Sequence, residues 1–200
     1  SLHDALTIFT GWFTAQEISK VSCQSVSVHI IQGSPRFLQE DDILELVKNA
    51  DNTIFGKNLK LINTEILERK LMAVESIRRV EVYRKITGKS LRFTGKLVVE
   101  IEERNPIVRI KTNDFDYYLD CEGVKIPVSS KYTVKVPLFS GSVTPEYAAK
   151  ELLSFAGFLY SDSFWKAQIE QVFVKPNMEL IVVPRIGEHL IEFGTSENYK

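Results

Sequence analysis

The sequence predicts an α+β fold made of two successive units, and three observations carry that prediction. Leu97, Val99 and Ile101 occupy alternate positions in one run, as in a strand with one buried face. The polar segment 103–106 follows, and its proline removes a backbone donor and favours extended geometry in the residue before it. A second apolar run begins at once in residues 107–110. Apolar residues at helical spacing occur on both sides of this joint, so each side has strands and helix.

We predict the order β-α-α-β-β for the first unit, and a mixed, mostly antiparallel β domain with one main helix for the second. The first unit is placed at residues 23–104 and the second at residues 105–200, after an N-terminal segment at residues 1–22. A chain of 200 residues is long enough for two small domains with separate cores. The predicted junction residues are Glu103, Arg104 and Pro106.

The elements of the first unit follow from period and capping. Valine and isoleucine alternate with serine and histidine in residues 25–30, which predicts the first strand. Asp41 and Asp42 favour the first turn of one helix, and Asn63 can cap another. Residues 77–86 are predicted as a strand, and turns are predicted at residues 87–90 and 94–95. The two helical stripes are Ile43, Leu46, Val47 and Ala50, and Ile66, Leu67, Leu71 and Val74.

The second unit is predicted to consist of short strands around one helix. Thr144-Pro145-Glu146 combines a hydroxyl cap, a proline at the first helical position and an acid in the first turn. Ser163 is the predicted cap of a shorter helix. The last three strands are separated by proline-containing turns and should form an antiparallel meander. The predicted strands are 107–110, 117–119, 125–128, 134–138, 169–174, 180–183 and 190–193.

Composition excludes several classes of function. Hydrophobic residues make up 44% of the chain, charged residues 26%, and the net charge is −1, so there is no global basic field for nucleic acid or anionic lipid. No segment reaches the ~20 apolar residues that span a bilayer. Residues 5–13 are nevertheless apolar and aromatic. They are either an amphipathic segment packed on the domain or the end of a membrane anchor with aromatics near the interface.

The residues that usually carry chemistry are scattered. The three histidines lack ligand spacing, and nucleophile-elbow, dinucleotide and P-loop motifs are missing. Asp114 and Asp116 begin like a calcium loop, but the pattern fails at Tyr118. Cys23 and Cys121 could form a disulfide in an oxidising compartment, although buried or free thiols are the simpler expectation. We therefore predict no enzyme, no metal and no cofactor.

The hairpin of the second strand is locally basic, and phosphate contact there is conceivable. Its cations are Arg78, Arg79, Arg84, Lys85, Lys89 and Arg92. The simpler interpretation is a charged, solvated hairpin, because Tyr83 and Phe93 are too few for a stacking platform.

The order of these elements and several short motifs resemble a known family, the bacterial cell-division proteins FtsQ and DivIB. The order β-α-α-β-β is that of the POTRA domain, and the resemblance extends over about residues 23–194. Residues 164–169 and 184–187 also look like members of this family. The matching motifs are an E-R-x-P joint at Glu103, Arg104 and Pro106, an L-D-x-x-G hairpin at Leu119, Asp120 and Gly123, and a V-P-plus-glycine stretch at Val136, Pro137 and Gly141.

Two departures from the family pattern are visible. The hairpin at residues 87–95 is longer than usual, and the further helix and final strand with which family members continue are expected to be missing from this chain.

The resemblance implies a non-enzymatic scaffold of the division machinery. It would be the periplasmic part of a single-pass inner-membrane protein, with residues 1–22 as the membrane-proximal stub or linker. Its partners would be FtsB- and FtsL-like coiled-coil proteins, bound largely through the C-terminal β domain, and possibly an FtsK-like protein near the POTRA domain. It would connect these partners to septal peptidoglycan synthesis.

An exposed edge strand can bind such a partner by β-augmentation. The predicted partner-binding residues are Arg185, Leu190, Ile191, Glu192 and Phe193. Taken singly, each of these could equally be an ordinary strand residue.

Two other functions stay open. The POTRA part of an outer-membrane transporter would require repeated POTRA units or a downstream barrel. A cell-wall enzyme would require perturbed carboxylates around Asp116 and Asp120.

Overall fold

The computed structural model divides into two compact units, Ser1–Glu103 and Arg104–Lys200. The α+β class predicted from the sequence is confirmed. Residues 5–13, with both interpretations of that segment, lie outside the described part of the chain. The described residues are 20–31, 33, 37–89, 92–129, 131–187 and 189–197.

The N-terminal unit has the predicted order β-α-α-β-β. Its three-stranded sheet has the order β1-β3-β2, with β1 parallel and β2 antiparallel to the central strand β3. A short 3-10 turn at Leu59–Leu61 precedes the second helix. The elements are β1 (Cys23–Ile30), α1 (Glu40–Ala50), α2 (Thr64–Met72), β2 (Ile77–Lys89) and β3 (Arg92–Glu103).

The core of this unit lies between the helices and one face of the sheet. Ile43 on α1 and Leu67 on α2 pack with Leu97 and Val99 of β3, and all four are buried. Burying each such side chain stabilises the fold by about 1.5–3 kcal/mol. Asn63 caps α2 as predicted, because its Oδ1 accepts the amide of Ile66 at 3.1 Å.

The turns predicted at residues 87–90 and 94–95 are wrong where the structure describes them, since β2 and β3 continue as a paired ribbon. Thr87 faces Thr94 across the ribbon, and their hydroxyls are 2.8 Å apart. Gly88 faces Phe93, and a Cβ at Gly88 would lie 2.5 Å from that ring. The two threonines favour a strand, and glycine here makes room for the aromatic ring rather than a turn.

The C-terminal unit has a seven-stranded sheet with the order β10-β9-β8-β7-β4-β5-β6. Strand β7 runs parallel to both β4 and β8, and the other pairs are antiparallel. The strands are β4 (Pro106–Lys111), β5 (Asp116–Asp120), β6 (Lys125–Pro127), β7 (Leu138–Gly141), β8 (Ile169–Val174), β9 (Leu180–Pro184) and β10 (Ile191–Gly194). The predicted antiparallel meander at the end of the chain is present as β8-β9-β10.

Helices cover one face of this sheet. Helix α3 (Pro145–Tyr147) continues through a π-helical segment, Ala148–Leu152, into α4 (Leu153–Ser161). Thr144 caps the start as predicted, because its Oγ1 accepts the amide of Tyr147 at 3.2 Å. A shorter helix, α5 (Ser163–Gln168), follows.

Two details of the prediction for this unit need correction. Asp162, rather than Ser163, caps α5, because its carboxylate accepts the amides of Phe164 and Trp165 at 2.8 and 3.1 Å and suits the positive end of the helix dipole. Residues 134–137 lie outside the strands, and only Leu138 of that predicted segment belongs to β7. Pro137 has no amide donor, and its carbonyl accepts the amide of Arg109 at 3.0 Å.

Candidate partner-binding edge of the C-terminal sheet

Strand β10 forms one edge of the seven-stranded sheet. Within the described residues it pairs with β9 alone, in a register that joins Ile191 to Val182 and Glu192 to Ile181. An edge strand presents a row of N–H and C=O groups on its free side. The register shifts between Glu192 and Gly194, and Gly194 has a φ of +83°, so the strand ends there in a left-handed turn.

Apolar packing holds β10 in place. Ile191 and Phe193 pack against the core of the unit, and the ring centroid of Phe193 is 5.0 Å from that of Phe155. These side chains, together with Trp165 and Val182, line a small cavity of about 40 Å³. The strand is therefore anchored by the side chains on one face, and this leaves its backbone edge and the opposite face for contacts with another molecule.

The loop between β9 and β10 brings exposed aliphatic side chains to the same edge. Ile186 is 76% exposed and Leu190 is 63% exposed. Gly187 between them has a φ of +99°, a conformation that other residues rarely adopt. Arg185 donates its amide to the carbonyl of Gln168 at 2.7 Å, whereas its Nε is buried without a partner in the described residues. Exposed aliphatic residues beside the free edge of a strand suit a protein interface.

The charged group on β10 is only loosely held. The Glu192 side chain is largely exposed, and its Oε1 is 3.5 Å from the Nζ of Lys175. Lys175 is closer to Glu179, at 3.2 Å, and the hydrogen bond to Glu179 raises the pKa of Lys175. An exposed pair of this kind contributes little to stability, so Glu192 can change partner at little cost.

The structure thus brings the five predicted partner-binding residues to one edge. Leu190 and Glu192 are exposed, while Ile191 and Phe193 are partly buried in the core, as ordinary strand residues would be. Their role in partner binding stays a prediction. Sequence reasoning missed Ile186, which was visible only as an apolar residue inside a proline–glycine turn.

The junction residues hold structure within each unit. The Glu103 carboxylate is buried and accepts the amide of Leu38 at 2.8 Å in the N-terminal unit. In the C-terminal unit, Arg104 donates to Asp120 at 2.6 Å and to Glu122 at 3.0 Å. Burial lowers the pKa of Arg104, but these hydrogen bonds outweigh it and the pKa is raised. Pro106 begins β4 and pairs with Asp120 in the register.

The Asp120 carboxylate also organises the turn that follows β5. Its Oδ1 accepts the amides of Glu122 and Val124 at 2.9 and 2.8 Å. The side chain is only 4% exposed, and its second oxygen is bound by Arg104. The aspartate therefore has a structural role in this turn.

The Asp116 carboxylate is likewise held by an arginine side chain. Arg109 holds Asp116 in two hydrogen bonds of 2.7 Å, and this guanidinium lowers the pKa of Asp116. Cys23 is a buried free thiol whose pKa is raised by burial, and Cys121 is an exposed free thiol. Across the described residues there is no group of three histidine, cysteine, aspartate or glutamate side chains that could hold a metal. Nor does that part of the chain contain a helix long and apolar enough to cross a membrane.

Comparison with known proteins agrees with the division of the fold. Residues 105–200 match the family model described as "FtsQ/DivIB, C-terminal related", and residues 21–90 match that of the POTRA-like domain. No curated protein matches the chain.

A solved structure, the major extracytoplasmic domain of the trans isomer of the bacterial cell-division protein DivIB from Geobacillus stearothermophilus, is similar at 16% sequence identity. The match covers 44% of this chain and 76% of that one, with a TM-score of 0.35.

Proposed function

Because this chain belongs to the FtsQ/DivIB family of cell-division proteins, we propose that it is a non-enzymatic scaffold that binds other division proteins through the edge of its C-terminal sheet. The family is a division scaffold family rather than a known enzyme family. The proposed partners are FtsB- and FtsL-like coiled-coil proteins, with an FtsK-like protein as a further candidate. The proposed consequence of binding is a link to septal peptidoglycan synthesis.

We place the protein in the inner membrane, as the periplasmic part of a single-pass protein. An extracytoplasmic, membrane-associated domain is what the family match suggests. The membrane anchor would precede the described residues.

The observation that carries the partner-binding proposal is the position of β10. An extended partner segment could add to its free edge, and main-chain hydrogen bonds would then supply much of the affinity. The four residues of β10 allow only a short pairing. Additional contacts are therefore needed, and Ile186 and Leu190 lie at the same edge to provide them.

Exposed aliphatic side chains at this edge are the expected hot spots. A partner that covers Ile186 and Leu190 removes apolar surface from water, at roughly 25 cal/mol per Å². Glu192 on the outward face favours a partner segment with a basic or hydroxyl side chain at the facing position. These are features that a coiled-coil protein with an extended tail can supply.

The test is a titration of the extracytoplasmic segments of the cognate FtsB- and FtsL-like proteins into this chain. We expect the double variant Ile186→Glu/Leu190→Glu to bind the partner roughly tenfold or more weakly, because two hot-spot side chains are replaced by charges. Both side chains are exposed, so the free energy of unfolding should hardly change.

The matched control is Leu61→Glu, an equally exposed aliphatic residue in the N-terminal unit. Its partner affinity should equal that of the wild type. If the double variant binds as tightly as the wild type, the β10 edge is not the binding site. If no protein in the set binds any segment while all are folded, the partner-binding function itself is wrong.

A further inference from the structure

The ribbon formed by the ends of β2 and β3 carries an unusual concentration of positive charge. Residues 84–96 contain five lysines and arginines and no acidic residue, in a chain whose net charge is −1. Lys85 lies directly opposite Lys96 in the antiparallel register, and Arg92 follows on the same face at alternate positions from Lys96. Leu97 and Val99, on the other face of β3, belong to the core beneath the helices. Lys85 and Arg92 are exposed and Lys96 is half-buried, and we call this surface the basic face of Lys85, Arg92 and Lys96.

The basic face differs from the rest of the same sheet surface. Nearer the start of β2, each glutamate has a partner: Arg79 lies 3.6 Å from Glu81 and 3.2 Å from Glu102, and Tyr83 donates to Glu100 at 2.8 Å. By contrast, no ion pair joins the three cations of the basic face to a carboxylate in the described residues.

The pairing of Lys85 with Lys96 is unfavourable for the isolated protein. Like charges directly opposite each other on neighbouring strands destabilise a sheet. An anion brought by another molecule would remove that repulsion, so the sheet itself favours a negatively charged ligand at this place.

The shape of the ribbon narrows the choice of ligand. The basic face extends along two paired strands, which suits an extended array of anions better than one small anion. Single-stranded nucleic acid would need aromatic rings for stacking, but the Tyr83 hydroxyl is held by Glu100 and the Phe93 ring lies over Gly88.

We propose that the basic face binds the surface of a bilayer that contains anionic phospholipids. Lysine and arginine side chains can place their charges among the headgroup phosphates while their aliphatic parts contact the interface. Three cations give weak binding by themselves. Such binding becomes effective for a domain held near the membrane by a tether, and the required strength, though not the site, rests on the membrane anchor proposed above.

The test is sedimentation of the 200-residue chain with vesicles at low ionic strength. We expect binding to vesicles of phosphatidylglycerol and phosphatidylcholine in equal parts, no binding to phosphatidylcholine alone, and a fall in binding as salt is added. The triple variant Lys85→Gln/Arg92→Gln/Lys96→Gln should bind at least tenfold more weakly, since each cation contributes roughly fivefold. The matched control Lys48→Gln/Lys60→Gln/Lys150→Gln has the same change in net charge and should keep most of the binding.

A second variant distinguishes a loss of vesicle binding from a loss of folding. Lys85→Glu turns the repulsive cross-strand pair into an attractive one, so it should melt at or above the wild-type temperature while it loses vesicle binding.

Equal losses in the triple variant and its control would overturn the proposal, because binding would then follow net charge alone. So would a wild type that ignores phosphatidylglycerol, or one released from vesicles by inorganic phosphate at the same phosphate concentration. Tighter binding to polyglutamate or single-stranded DNA than to vesicles would replace the lipid with another class of ligand. The partner titration at β10 uses other residues, so either proposal can fail while the other stands.

Discussion

The edge strands β2 and β10 differ in whether side chains of another element cover their free edge. At the edge of the N-terminal sheet, the amide of Val82 donates to the Glu68 carboxylate of α2 at 2.7 Å, and Arg84 donates to the carbonyl of Ile62 at 2.6 Å. At the edge of the C-terminal sheet, the side chains that hold β10 all lie on one face, beneath the strand. The β2 edge therefore has an amide bound by a helix side chain, whereas β10 pairs, within the described residues, with β9 alone.

Other edges of the two sheets are also protected. The start of β1 is paired by the loop before the 3-10 turn, where Cys23 exchanges hydrogen bonds with Lys57 and Gly56, each at 2.8 Å. Strand β6 has only three residues and ends at Pro127, which has no donor. Because exposed edges invite unwanted pairing, this contrast supports the proposal that β10 is the edge used for binding.

The largest effect on stability is expected at the protected end of the C-terminal sheet. Asp120→Ala would leave the Arg104 charge poorly compensated and two amides without acceptors, at a cost of about 3–5 kcal/mol in the free energy of unfolding. Urea unfolding followed by circular dichroism measures this cost. Asp120→Asn keeps one acceptor oxygen and should lose less.

Partner affinity at β10 should stay unchanged in Asp120→Ala at temperatures where the protein is folded. A fall in affinity without unfolding would connect the β5–β6 turn to partner binding. It would then contradict the view that β10 alone, and not the protected end of the sheet, serves for binding.

A smaller loss of stability is expected when the anchor of β10 is removed. Phe193→Ala deletes a partly buried ring that packs on Phe155, and we expect about 2–3 kcal/mol of destabilisation together with loss of partner binding. Thermal melting and the partner titration report the two effects separately. Phe164→Ala, which removes a mostly exposed ring from α5, should change neither. Full affinity in Phe193→Ala would show that partner binding does not need an ordered β10.

Local patterns in the sequence predicted most of the fold. Alternation identified β1 and the central part of β3, and side-chain caps identified the helices that begin at Thr64 and Pro145. The errors lie where a residue type has two structural uses. Gly88 is typical of a turn, but in this ribbon it accommodates the ring of Phe93. That distinction depends on the residue across the strand, which the local sequence does not contain.

The candidate site was less predictable than the fold. Alternation could place Leu190–Phe193 in a strand, but strand order decides whether that strand is at an edge, and order depends on long-range pairing. The covering of β2 was equally hidden, because nothing in the sequence next to Glu68 shows that its carboxylate meets the amide of Val82. Likewise, Ile186 became a candidate only when its exposure was known.

Removing the side chain that covers the β2 edge tests whether this edge differs from that of β10. Glu68→Ala removes the acceptor for the amide of Val82, and an unsatisfied, partly buried donor costs about 1–3 kcal/mol. Hydrogen exchange of the Val82 amide should also accelerate. Glu45→Ala, an exposed change on α1, serves as the control and should leave both quantities near the wild-type values. Unchanged exchange at Val82 in Glu68→Ala would mean that the carboxylate does not protect this edge.

The smallest effect is expected in acid, at the loop that pairs with β1. Hydrogen bonds from Thr53 and Lys57 lower the pKa of Asp51 from 3.8 to about 2 in the folded protein. A lowered pKa contributes stability that is complete above the unfolded-state value near pH 4 and is lost as the pH falls toward 2. Because Asp51 is partly exposed, we expect a contribution of about 1 kcal/mol.

The measurement is the unfolding free energy of the wild type and Asp51→Asn between pH 6 and pH 2, a range that brackets the pKa of Asp51 of about 2 and its ordinary value of 3.8. The asparagine variant should be less stable near neutral pH, and its deficit should disappear in acid, because protonation removes the same interaction from the wild type. A deficit that stays constant over this range would show that the Asp51 charge does not hold the loop. The covering of β1 would then depend on backbone pairing, such as that of Cys23 with Lys57 and Gly56.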